Sequence, residues 1–238
     1  MLKFGASLIT LDHLNIHQDV KFLTEIEQIS YLHIDVMDGH YVPRYGVYPE
    51  IVKEIQKFTN MELDLHLMVD DPFFAIQQFT NDVMVKTISF HISNHLDKCY
   101  SIIDAIRDVG SEAILAIDLS TPISDVLEIL HENEVSGIMF MGIIPGVLDQ
   151  KHRPEIVYKK CREILKLTEG YDLKFKQHIQ IDGGFNFNTA ANLKACGINN
   201  FVGGSSTFFS GMKQNMDFAS RRQKVLENTH NLMRKLDD

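Results

Sequence analysis

His33 and Asp35 stand two residues apart, and so do Asp64 and His66; Met37 continues the first series and Met68 the second. Side chains at i, i+2 and i+4 of a β-strand point to one face. Each series therefore sets an imidazole and a carboxylate on the same side of a strand. A further carboxylate, Asp182, precedes the glycine pair Gly183 and Gly184. His33, Asp35, His66 and Asp182, converging from three strands, are a donor set for one divalent cation. Imidazole with carboxylate suits zinc, iron, manganese or cobalt more than calcium or magnesium. Ionisable groups that point into an apolar interior are costly unless paired or metal-bound. A lone strand histidine is ordinarily a hydrogen-bonded structural residue, and Met37, Met68 and Met141 would ordinarily be core filler. It is the gathering of these residues at strand ends that points to a site.

The elements that would position them alternate in texture. The β-rich runs predict eight strands, over 3–8, 31–36, 62–68, 85–91, 112–119, 137–143, 178–181 and 200–202. Helical spacing predicts helices over 49–59, 72–80, 95–109, 122–133, 154–168, 188–196 and 217–236. Strand–helix alternation implies right-handed crossovers and a parallel sheet. Eight units close into an α/β fold, the TIM (β/α)8 barrel, which typically takes about 250 residues. The expectation is one such barrel domain over residues 1–238. An open doubly wound sheet would carry a G-x-G-x-x-G turn after its first strand; Ser7–Thr10 stands there instead. Catalytic groups of a barrel lie at the carboxyl ends of its strands, where all the residues above fall.

Composition narrows the partners. Hydrophobic residues make up 45% and charged residues 23%, in keeping with a globular chain. The formal charge of −9 and the lack of any basic stripe argue against nucleic acid. An acidic surface still admits a phosphorylated small molecule, because backbone N–H groups can supply a local positive field. Cys99, Cys161 and Cys196 are odd in number and form no C-x-x-C pair, which suits reduced thiols in a cytoplasmic protein. No apolar run is long enough for a membrane span. The chain starts directly on strand-like sequence, so no signal peptide is expected.

At H-I-D-V-M-D-G-H-Y-V-P, residues 33–43, the sequence resembles the ribulose-phosphate 3-epimerase family. The resemblance continues through L-D-L-H-L-M-V (63–69), M-G-I-I-P-G (141–146), I-D-G-G (181–184) and V-G-G-S-S (202–206), in the family's order. It implies a TIM-barrel isomerase that inverts carbon 3 of a ketose phosphate through a cis-enediolate. It implies a divalent metal on His33, Asp35, His66 and Asp182, with Asp35 and Asp182 as the acid/base pair. Ser7 matches a substrate-contacting serine, and Met37, Met68 and Met141 match the walls around the reacting carbons. Gly146 matches the loop that closes on the substrate. Gly183, Gly184, Gly204 and Ser205 match a phosphate cradle, completed by a short helix N-terminus. The resemblance also implies a homo-oligomer, dimer or hexamer.

Three stretches depart from the family pattern. Residues 144–150 read I-P-G-V-L-D-Q where the family has N-P-G-F-G-G-Q. Arg44 follows V-P where the family has Asn; a surface position in solvent is its ordinary reading, although it could meet an anionic group. Asp118, Leu119, Ser120, Thr121 and Pro122 replace N-P-G-T-P. The acid/base and metal residues survive while the lid does not match. The expected substrate is therefore ribulose 5-phosphate, xylulose 5-phosphate or a related sugar phosphate such as allulose 6-phosphate. Decarboxylases and aldolases with a D-x-K-x-x-D strand are disfavoured, because strand three holds no lysine. The competing non-enzymatic reading is a sensor that binds a sugar phosphate or metal.

Overall fold

The computed structural model describes residues 2–147, 150, 152–213 and 216–237. Eight parallel strands close into a barrel in chain order. They are β1 (Lys3–Ser7), β2 (Tyr31–Met37), β3 (Glu62–Met68), β4 (Thr87–His91), β5 (Glu112–Ile117), β6 (Gly137–Met141), β7 (Ile179–Asp182) and β8 (Asn200–Gly203). The helices between and after them are α1 (Ile16–Leu23), α2 (Pro49–Gln56), α3 (Pro72–Thr80), α4 (Cys99–Asp108), α5 (Ile123–His131), α6 (Pro154–Leu167), α7 (Ala190–Ala195) and α8 (Phe218–Asp237).

The (β/α)8 expectation holds, with local differences that have physical reasons. Helix α1 was not anticipated from the sequence. Its Ile16, Val20 and Leu23 do carry helical spacing, but eight residues are too few to display a period clearly. Its Asp19 is buried in an ion pair with Arg221 of α8, which also reaches Asp12 at 3.0 Å. That pairing belongs to the tertiary structure. Strand β5 stops at Ile117, two residues early, because the Asp118 N–H donates to Thr121 Oγ1 at 3.1 Å and turns the chain. Helix α4 starts at Cys99, since the preceding segment forms two 3-10 turns, Ile92–Asn94 and Leu96–Lys98.

Every residue of β2 is buried, so polarity and not burial distinguishes its two faces. Leu32, Ile34 and Val36, with Leu63, Leu65 and Leu67 of β3, pack into the main core between sheet and helices. Burying each such side chain contributes about 1.5–3 kcal/mol. The alternate residues point to the barrel axis. There the apolar clusters are small: Met37, Val42 and Met68, and separately Ile114, Ala116, Met139 and Met141. Polar groups occupy much of the remaining interior.

Candidate metal centre

Strand register assembles the site. Along the β2–β3 ladder His33 lies opposite Asp64, Asp35 opposite His66, and Met37 opposite Met68. Ser7 of β1 lies opposite His33, and Met141 of β6 opposite Asp182. Among the described residues, His33, Asp35, His66 and Asp182 offer ligand atoms that all lie within 4.8 Å of one another.

His33 Nε2 lies 3.6 Å from Asp35 Oδ1 and 3.7 Å from Asp182 Oδ2. His66 Nδ1 lies 3.5 and 3.3 Å from the same two oxygens. Both nitrogens are fully buried and neither has a hydrogen-bond partner. An unsatisfied buried polar atom costs about 1–3 kcal/mol, so two at one point need an explanation. A tetrahedral ion with bonds of about 2.0–2.2 Å separates its ligand atoms by about 3.3–3.6 Å, close to the spacing found. The donor set and its orphaned nitrogens fit a divalent cation.

The orientation of His33 is set from behind. Its Nδ1 donates to Asp64 Oδ2 at 2.7 Å. Asp64 also accepts from Thr87 Oγ1 at 2.6 Å and Gln180 Nε2 at 2.7 Å. An ionised carboxylate only accepts, so Nδ1 of His33 carries a proton and Nε2 is the atom turned to the cluster, where the neutral ring offers a lone pair. Burial alone would raise the Asp64 pKa, but the His33 contact and these hydrogen bonds hold it below the usual range. Asp64 is a supporting residue that sequence reasoning missed as a site residue. The signal was present, since it lies two residues before His66 on the same face.

The electrostatics follow from the same packing. Burial opposes charge throughout. The neighbouring imidazoles nevertheless bring Asp35 down to about 2 and hold Asp182 well below the carboxylate range. Reciprocally, burial works against His33 and His66 protonation, yet the neighbouring carboxylates of Asp35 and Asp182 lift both above an ordinary histidine. Ser7 Oγ donates to Asp35 Oδ2 at 3.0 Å, which orients that carboxylate.

Above the cluster opens a cavity of about 480 Å³. Ser7, Asp35, Met37, Met68, Met141 and Asp182 line it, as do Gly146, Gly183, Gly184, Gly204 and Ser205. His33 and His66 lie beneath it, each 0% exposed. All the residues singled out from the sequence are thus brought to one place. Arg44, for which a solvated position was the ordinary reading, lines the cavity too. So do His152 and Asn186, which no sequence signal marked. Gly183 and Gly184 have φ of +77° and +72°, the left-handed region that favours glycine. The N–H groups of Gly184, Ser205 and Ser206 donate to no described residue, which leaves them free for an anion.

The expected short helix is not found among the described residues between β8 and α8, where the chain runs through turns in which Thr207 and Phe209 N–H groups donate to Gly204 O at 3.0 and 3.1 Å. In the divergent 144–150 loop, Gln150 staples the backbone. Its Oε1 accepts from Ile144 N at 2.7 Å, and its Nε2 donates to Val147 O at 2.9 Å. Leu148 and Asp149, where the sequence departs from two family glycines, lie outside the described residues.

Gly184→Ala should be damaging. A left-handed alanine costs about 1–2 kcal/mol, and its Cβ would collide with His152 Nδ1. The expected result is a lower melting temperature, checked by thermal denaturation.

Fold and site together define a (β/α)8-barrel enzyme with a candidate metal centre at the carboxyl ends of its strands. The chain belongs to the ribulose-phosphate 3-epimerase family, whose model matches residues 3–208. It is 30% identical over 210 residues to a ribulose-phosphate 3-epimerase of Methanocaldococcus jannaschii, covering 87% of this chain and 85% of that one. It is 27% identical to the cytoplasmic isoform of the Oryza sativa enzyme, covering 96% of each chain. Among solved structures, the tryptophan synthase α-subunit of Pyrococcus furiosus aligns at TM-score 0.68 and 13% identity, over 97% of this chain and all of that one. The 3-hexulose-6-phosphate synthase of Salmonella typhimurium aligns at 0.65 and 15%, over 98% of this chain and all of that one. At those identities the two structures bear on the fold alone.

Proposed function

We propose that this chain is a metal-dependent 3-epimerase of a ketose phosphate, ribulose 5-phosphate, xylulose 5-phosphate or a close relative. The observation that carries the reading is the placement of two buried carboxylates, Asp35 and Asp182, around two unpartnered imidazole nitrogens at the floor of a glycine-lined cavity. Epimerisation beside a carbonyl removes a proton from one face and returns one to the other. One aspartate takes the proton while the other, protonated, delivers one. A cis-enediolate lies between the two steps. His33, Asp35, His66 and Asp182 would hold the cation, zinc, iron, manganese or cobalt, which supplies Lewis-acid stabilisation of developing negative charge. Ser7 orients Asp35. Met37, Met68 and Met141 line the reacting end with soft, non-ionisable walls that exclude water. Gly183, Gly184, Gly204 and Ser205 receive the phosphate through backbone N–H groups.

Two supporting features bear on setting. Cys99, Cys161 and Cys196 are free and buried, which favours a reducing, cytoplasmic compartment. No described helix is long and apolar enough to cross a membrane. The exposed Phe74, Leu96 and Tyr100 are apolar surface available for self-association into a homo-oligomer.

The test is a panel of ketose phosphates assayed in deuterium oxide with each of the four metals. Deuterium should enter carbon 3 of one substrate with formation of its epimer. Tight binding of a sugar phosphate without any exchange would instead favour a non-enzymatic sensor and overturn the proposal.

A further inference from the structure

His66 Nε2 faces His91 Nε2 at 2.8 Å, and both rings are fully buried. Two neutral imidazole nitrogens at that distance share one proton, so one ring donates and the other accepts. Asp118 decides which. Its Oδ1 lies 2.9 Å from His91 Nδ1, and its Oδ2 accepts from Ser93 Oγ at 2.7 Å. An ionised carboxylate has nothing to donate, so the proton of His91 sits on Nδ1 and its Nε2 presents a lone pair. His66 must then donate from Nε2. That leaves its Nδ1 bare, and Nδ1 is the atom facing Asp35 and Asp182 at 3.5 and 3.3 Å. The Asp118 backbone is anchored in turn, since Lys160 Nζ of α6 donates to Asp118 O at 2.8 Å.

We propose that Asp118 is a positioning residue that acts through His91 to fix the tautomer of His66, preparing His66 Nδ1 to bind the cation. The inference rests on reading His33, Asp35, His66 and Asp182 as a metal centre. His33 receives its orientation directly from Asp64, whereas His66 receives it across two hydrogen bonds. The residue at the far end is Asp118, one of the positions where this sequence departs from the family pattern. A carboxylate there permits only one direction of donation along the relay. An asparagine can be turned to accept or to donate.

The tautomers can be read without any substitution. Long-range 15N–1H correlation spectra of the zinc-loaded protein should show His91 protonated on Nδ1 and His66 on Nε2; the reverse pattern overturns the proposal. Cation affinity is then measured by zinc competition with a chromophoric chelator and by the cobalt visible spectrum. Asp118→Leu, which cannot accept, should weaken binding by ~10–100-fold, the range seen when supporting partners of metal ligands are lost. Asp118→Asn, with its Oδ1 turned to His91 Nδ1, should recover most of that loss. Unchanged affinity in folded Asp118→Leu overturns the relay while leaving the metal centre standing. No cation binding by the unaltered protein overturns both.

Discussion

Asp35→Asn and Asp182→Asn should each abolish epimerisation, with turnover falling by about 10²–10⁴-fold, the usual contribution of a positioned acid or base. The two losses should differ in kind. With one carboxylate gone, the other can still remove a proton from the face it covers and return it to that same face. Each variant should therefore retain slow solvent exchange at carbon 3 of one epimer, and the surviving epimer should be opposite for the two. Both residues also belong to the candidate cation site, so metal content is measured alongside by atomic emission. Equal metal content with one-sided exchange marks lost acid/base chemistry. Full epimerisation by either variant would sink the two-carboxylate mechanism.

Removing the cation should silence turnover, and its rebinding should strengthen as pH rises. The sign follows from the four titrating groups. In the metal-free protein the neighbouring carboxylates of Asp35 and Asp182 lift His33 and His66 above an ordinary histidine despite their burial. Near neutrality a large share of these imidazoles therefore carries a proton where the cation must bind. Binding expels it, so affinity should change by up to about tenfold per pH unit for each proton released. The carboxylates do not share in this, since without cation and substrate Asp35 is brought down to about 2 and Asp182 is held well below its usual range.

Stability of the metal-free chain carries the complementary sign. The raised histidines stabilise the fold fully below their unfolded pKa, and that contribution is lost as pH rises through their folded values. The depressed aspartates stabilise it above their unfolded pKa, and lose that contribution as pH falls. Metal-free protein should thus melt at a lower temperature as pH climbs past the histidine range, while the loaded protein should be protected. Chelator competition and thermal melts at several pH values check both. An affinity independent of pH would mean that the imidazoles are not the ligands.

Much of this site was legible from local spacing. His33, Asp35 and Met37, like His66 and Met68, share strand faces because the pleat repeats every two residues, and no tertiary information is needed to see it. The order of strands and helices was likewise readable, since the sheet's outward face is uniformly aliphatic at Leu32, Ile34 and Val36. The exception was α1, whose buried Asp19 is stable only because Arg221, some two hundred residues later, lies against it.

What sequence alone determined is therefore which side chains travel together on a strand, because that depends on backbone geometry within a few residues. Tertiary structure alone decided the rest. Closure of the barrel set Asp35 opposite His66 and brought Asp182 across to both. It also placed Asp64 behind His33 and Asp118 behind His91, turning one nitrogen without a hydrogen-bond partner on each inner histidine to the cluster. A hydrogen bond acts over about 3 Å, and only the register between strands far apart in the chain determines which groups come that close.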